Sequence, residues 1–161
     1  MRLLCFLMML LMGSLYAQET SFKEFSDATL FNGKGLILQK DYYPKIQLPP
    51  GARVIDISSE QAYIAELIFQ HKFSLNTQLT CFRHKNIRKL FWNYNRQYSG
   101  FISRDGDVHV MIQLLNFKRK KRAEEKFEGW EQYYFTGFGR FYEKNTLTVV
   151  VDLRSCTVSL W

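Results

Sequence analysis

Between Tyr94 and Phe117 the chain reads YNRQYSGFISRDGDVHVMIQLLNF, two alternating apolar runs on either side of Asp105-Gly106. An Asp-Gly step suits a two-residue hairpin turn that needs positive φ, so this stretch predicts a pair of antiparallel strands. With Asp105 and Gly106 as the turn, Arg104 faces Asp107, Ser103 faces Val108, Phe101 faces Val110, Ser99 faces Ile112 and Gln97 faces Leu114. Phe101, Val108, Val110, Ile112 and Leu114 then share one face. Tyr98, Ile102, Arg104, Asp107, His109, Met111 and Gln113 share the other. Side chains alternate with a period of two, so a slip of one residue exchanges the faces of a whole strand.

Upstream, the pattern changes to a helical one. Ser58 is placed as an N-cap, with Gln61 completing a capping box three residues later. Tyr63, Ile64, Leu67, Ile68 and His71 recur at helical spacing and predict the buried face; Glu60, Ala62, Glu66, Gln70 and Phe69 are left for solvent. A shorter helical pattern runs from Asn86 to Tyr94, with Arg83, Lys85, Arg88 and Lys89 clustered about its start. Downstream, Lys118 to Arg122 is an unbroken run of cations, which predicts an exposed connection. Gln132–Thr136, Thr146–Val151 and Thr157–Trp161 read as strands, with a turn at Asp152–Ser155. The order is extended segment, helix, short helix, then antiparallel strands. It predicts an α+β fold: a helix packed on a curled antiparallel sheet of four to five strands, cystatin-like or, as an alternative, NTF2-like.

The first residues, MRLLCFLMMLLMGSLYAQ, have a positive start, an apolar run and a small-residue end. This layout predicts a secretory signal peptide over 1–17, cleaved after Ala17. The apolar run is shorter than the roughly 20 residues that span a bilayer, so no transmembrane segment is expected in the mature chain. Residues 18–57 read as a loosely ordered N-terminal segment with short strands, and 58–161 as a single α+β domain. With 16% aromatic residues the chain is expected to fold as an ordered globule. Its net charge of +7 would suggest nucleic acid in a cytosolic protein. For an exported one it points to an envelope protein, an anionic surface or a glycan. Two cysteines remain after cleavage, Cys81 and Cys156. An oxidising compartment permits a disulfide between them, and two free thiols are the alternative.

Tyr94-Asn95-Arg96-Gln97-Tyr98-Ser99-Gly100-Phe101-Ile102 resembles a recurring Y-x-R-Q-Y-x-G-x-I pattern of small exported proteins of unknown function from Gram-negative bacteria. Val150-Val151-Asp152-Leu153 is similar to the strand end those proteins carry before their last hairpin. The resemblance covers Gln61 onward and is specific around the hairpin. Gly137-Phe138-Gly139 stands where they have a Gly-Gly-aromatic stretch, and the last residues to Trp161 lack their frequent Asn-Gly step. The resemblance implies export and a shared fold, and it brings no activity or site residues.

Catalytic signals are sparse. His71, His84 and His109 have no metal-type spacing to one another or to Cys or carboxylates, and no cofactor motif is present. No G-x-S-x-G, phosphate-loop or HExxH motif occurs. Arg96, Tyr98 and His109 form the candidate polar surface of the hairpin. Arg96 is expected to stack on Tyr94 or Tyr98 or to pin a backbone carbonyl, in a structural or a ligand-binding role. Asp105 is assigned to the turn and Asp107 to a contact with Arg104. Lys118, Arg119, Lys120, Lys121 and Arg122 are the candidate docking residues for an anionic partner. Trp130, Tyr133, Tyr134 and Phe135 either line a platform or fill the core. A non-enzymatic envelope-binding module is expected, with a small periplasmic enzyme holding a cleft between helix and sheet as the alternative.

Overall fold

A computed structural model of the chain describes residues 22–25, 27–42, 48–75 and 91–161. The strands are β1 (Phe22–Phe25), β2 (Gly35–Leu38), β3 (Arg53–Ile55), β4 (Asn95–Ile102), β5 (Val108–Leu115), β6 (Thr146–Asp152) and β7 (Thr157–Leu160). The helices are α1 (Ser59–Leu75), α2 (Lys120–Lys126) and α3 (Arg140–Asn145). The α+β class holds, but among the described residues the sheet has seven strands and is mixed, not four or five and antiparallel. Its order is β1-β2-β4-β5-β6-β7, and β3 pairs with β4 beyond the end of β2. β2 runs parallel to β4, from Gly35 opposite Arg96 to Ile37 opposite Tyr98. β3 runs antiparallel to the far half of β4, from Arg53 opposite Ile102 to Ile55 opposite Gly100.

Three short strands come from residues 18–57, the segment expected to be loosely ordered with short strands. Phe25, Leu30, Phe31 and Leu36–Leu38 are buried, so this segment is part of the core. The expected signal peptide, Cys81, His84, Arg83, Lys85, Arg88 and Lys89 lie outside the described residues.

The hairpin is present, one residue out of the expected register. Ile102 faces Val108, Phe101 faces His109, Tyr98 faces Ile112 and Gln97 faces Gln113. The loop has three residues, Arg104, Asp105 and Gly106. A type I′ turn demands positive φ at both central positions. Gly106 takes φ +89° and Asp105 does not, since Cys156 alone among the described non-glycine residues has positive φ. The Gly106 amide donates to the Ser103 carbonyl at 3.1 Å and the Ser103 amide to the Asp107 carbonyl at 2.9 Å, closing the longer loop. The slip leaves the faces of β5 as expected and inverts those of β4. Tyr98 joins Val110, Ile112 and Leu114 in the core beneath α1, while Phe101 turns to the other face and stacks on His109 at 4.8 Å. Asp107 pairs with Arg154 at 2.6 Å, across the neighbouring hairpin, and not with Arg104.

α1 starts as its capping box dictates. The Ser58 amide donates to Gln61 Oε1 at 2.8 Å, and the Gln61 amide donates to Ser58 Oγ at 3.1 Å. Its buried face, however, is Ala62, Ala65, Glu66 and Phe69, while Tyr63, Ile64, Leu67 and His71 are exposed. The small alanines let the helix approach the sheet closely, and Glu66 meets buried polar partners there. Burying a side chain such as Phe69 contributes about 2–3 kcal/mol.

Gly100 is the sheet's contact with the segment that leads from β3 into this helix. A Cβ there would lie 2.2 Å from Ile57 Cγ2. Gly100→Ala is expected to cost about 1–3 kcal/mol through overpacking, and clearly less in an Ile57→Ala background. Urea denaturation of the four proteins of this cycle checks it; an equal cost in both backgrounds would mean the contact does not matter.

The opposite face is covered too. Leu36, Leu115, Ala123, Phe127, Trp130 and Phe135 form a second core with Phe117, Phe141 and Tyr142 against it. Residues 132–136, expected as a strand, form an irregular stretch over this face. The cationic run stays exposed, although Lys120–Lys126 within and after it is helical. Asp152 makes the expected last turn, its Oδ1 accepting from the Arg154 and Ser155 amides at 2.8 and 3.1 Å. Cys156 in that turn is exposed and unpaired among the described residues, and its expected disulfide partner Cys81 lies outside them.

Candidate functional site

β4 directs its alternate side chains into two different layers, and each layer is held by a polar anchor. On the α1 side, Arg96 and Glu66 are both fully buried. Arg96 Nε donates to both Glu66 oxygens at 3.1 Å, and its guanidinium also donates to the Tyr94 carbonyl. Tyr98 donates its phenol proton to Glu66 Oε2 at 2.9 Å, and Gln70 donates to Oε1 at 2.8 Å. Gln70 donates as well to the Leu30 carbonyl. Arg96 pins a backbone carbonyl, one of its two expected roles, and it stacks on Phe31, 4.0 Å from the ring centroid. Each carboxylate oxygen thus accepts from two donors, as a buried charge requires. Burial, and then the Glu66 charge, hold the Tyr98 phenol well above its usual pKa, against the opposing pull of Arg96. The network joins helix to sheet, and its Arg96, Glu66 and Tyr98 are fully buried; it is an anchor.

On the other face Gln97 does the same work for an irregular segment. Its amide nitrogen donates to the Trp130 and Tyr133 carbonyls, and its oxygen accepts from the Phe135 amide at 2.9 Å. Gln113, directly opposite, donates to the Phe135 carbonyl at 2.9 Å. Buried backbone without a strand partner must find hydrogen bonds elsewhere, and here two glutamine side chains supply them. Trp130, Tyr134 and Phe135 are consequently core residues. Burial pushes the Tyr134 phenol up to about 12.

This second layer carries the site. Tyr142 donates to the Lys126 carbonyl at 3.1 Å, tying α3 to α2, and Phe127 packs 5.6 Å from Phe141. Asn116 donates to Asn145 Oδ1 at 3.0 Å, and its own Oδ1 accepts from the Lys118 amide at 3.0 Å. Between the two helices lies a cleft of about 520 Å³. Lys118, Arg119 and Arg122 line one side and Arg140 and Lys144 the other, with no carboxylate in the lining. Arg122 lies 5.3 Å over the Phe141 ring. Among the described residues none of the five cations is in an ion pair. Arg140 and Lys144 sit one helical turn apart, where like charges destabilise a helix slightly. A counter-anion placed in the cleft would offset that repulsion.

The structure separates the other predicted residues. Arg96 and Tyr98 are buried under α1, whereas His109 is half-buried on the opposite face. His109 faces Asp152 across β5 and β6. The Asp152 carboxyl lies below its ordinary value: burial opposes this, but hydrogen bonds from Ser155 and Arg154 and the charge of His109 outweigh it. Of the cationic run, Lys118, Arg119 and Arg122 reach the cleft. Lys120 pairs with Glu124 at 3.8 Å, and Lys121 is exposed outside the lining. Sequence reasoning missed Arg140, Lys144, Asn116 and Asn145. The four-residue spacing of Arg140 and Lys144 marks a shared helix face, and it had no meaning while that region read as β structure.

Among the described residues no group of His, Cys, Asp and Glu is placed to hold a metal ion, and no helix is long and apolar enough to cross a membrane. No family model, curated protein or solved structure matches this chain.

Proposed function

We infer that the protein is an exported, non-enzymatic binding module of the cell envelope, and that it holds an anionic group of its partner in the cleft between α2 and α3. The observation that carries this reading is the convergence of Lys118, Arg119, Arg122, Arg140 and Lys144 on one concavity without a carboxylate among them. Charge of one sign gathered in a cleft concentrates field and recruits counter-charge. The aromatic cluster and the Asn116–Asn145 bond hold the cleft's walls in place before any ligand arrives, which reduces the ordering cost of binding. The positive, apolar, small-residue order of residues 1–17 supports export. One long helix laid on a sheet is the layout behind the cystatin-like or NTF2-like proposal for the fold. The small periplasmic enzyme is the weaker reading, because Ala62, Ala65, Glu66 and Phe69 fill the space between α1 and the sheet where its cleft would lie.

The protein should elute from a sulfated-glycan resin only at raised salt, and a variant with all five cleft cations replaced by Ser should elute much earlier. Identical elution of the two proteins would sink the binding reading. In a Gram-negative host the protein should be recovered from the periplasm and begin at Gln18; retention in the cytoplasm with Met1 intact would sink the export reading.

A further inference from the structure

Phe138 is 93% exposed. It stands out among the neighbouring aromatic residues: Phe127, Trp130, Tyr134 and Phe135 are buried, Phe141 and Tyr142 are half-buried, and Tyr133 is 49% exposed. Gly137 lies tightly against Tyr142, where a Cβ would come within 2.5 Å of the ring. Gly139 takes φ +95°, and its carbonyl accepts the Glu143 amide at 3.1 Å within the first turn of α3. The residues on either side of Phe138 are therefore fixed to the fold, and the ring projects from it. Arg140, which lines the cleft, follows two peptide units later, so its Cα lies within about 7.6 Å of that of Phe138.

We propose that the occupant of the cleft is the headgroup layer of an anionic lipid leaflet, with Phe138 inserted at the boundary between headgroups and acyl chains. This rests on the anionic-ligand reading above and deepens it. A soluble polyanion or an acidic protein surface satisfies the five cations and leaves Phe138 in water. A leaflet satisfies both, because it places negative phosphates and apolar chains within a few ångströms of each other. Peripheral binding draws on this pairing of cations with an inserted aromatic ring, and each alone is weak.

The test uses the mature chain from Gln18 in sedimentation with vesicles of phosphatidylcholine, with and without phosphatidylglycerol. Binding is expected to the anionic vesicles alone and to weaken as salt rises. Phe138→Ser should weaken it about tenfold, while Phe138→Trp should retain it. Arg119→Ser, Arg122→Ser and Arg140→Ser combined should weaken it roughly a hundredfold. All four side chains are exposed, and circular dichroism verifies that the variants fold. A Phe138→Ser protein that binds the anionic vesicles as tightly as the parent overturns the lipid inference. So does binding to soluble polyglutamate without binding to the vesicles, which leaves the anionic-ligand reading standing. Failure to bind either one overturns both.

Discussion

Arg96→Met is expected to lower the unfolding free energy by about 3–5 kcal/mol and the melting temperature by roughly 10–20 °C. The loss comes less from the missing ion pair than from what is left behind. Glu66 stays fully buried, keeps only the Tyr98 and Gln70 donors, and loses its counter-charge. The Tyr94 carbonyl loses the guanidinium donor, and the Phe31 ring loses the cation stacked on it. Adding Glu66→Met and Tyr98→Phe removes the orphaned charge and the phenol together. The triple variant should therefore recover most of the loss, since a buried pair replaced by apolar groups of similar volume is often neutral. Urea denaturation with an unchanged slope is the measurement. A triple variant no more stable than Arg96→Met would show that these side chains do more than satisfy one another.

The same buried network explains why the helix was legible in its start and misleading in its face. Ser58 and Gln61 act through neighbouring backbone amides, so the chain alone specifies the cap. The buried side depends on what waits across the interface. Glu66 reads as solvent-facing until Arg96 and Tyr98, thirty residues on, are placed beneath it. Tyr63, Ile64 and Leu67 read as core for want of that knowledge. β4 was ambiguous for a related reason. Alternation identifies an inside face when one face is wet, but β4 and β5 are covered on both sides, by α1 and by the α2–α3 layer. Tyr98 and Phe101 were equally good core residues, so the register rested on the turn, and Asp105's φ decided it. Strands β6 and β7 with their Asp152 turn were legible because their determinants are local.

Site residues followed the same division. The run Lys118–Arg122 is visible in any reading, and three of its members reach the cleft. Arg140 and Lys144 come from a region whose aromatic density imitates a strand. There the glutamines of β4 and β5 satisfy the backbone of residues 130–135, which frees the chain from pairing with another strand. Nothing near Tyr133 in sequence announces that Gln97, more than thirty residues earlier, accepts this role.

Gln97→Leu tests that dependence at nearly constant volume. The leucine leaves the Trp130 and Tyr133 carbonyls without the amide that held them and the Phe135 amide without its acceptor. Unsatisfied buried groups cost about 1–3 kcal/mol each, so a loss near 3 kcal/mol is expected after partial relaxation. It should appear first as local opening of the segment between α2 and α3 and only later as global instability. Hydrogen exchange at the Phe135 amide should accelerate roughly a hundredfold, while amides of β5 in the α1-side core keep most of their protection. Gln97→Glu retains an acceptor for Phe135 and loses both donors, so its effect should be comparable or larger. Because Phe127, Phe135 and Tyr142 join this segment to both walls of the cleft, anion binding should also weaken although no cation has changed. Unaltered exchange at Phe135 would mean the loop is held by its aromatic packing alone, and the glutamine would lose its place as the latch on which the cleft depends.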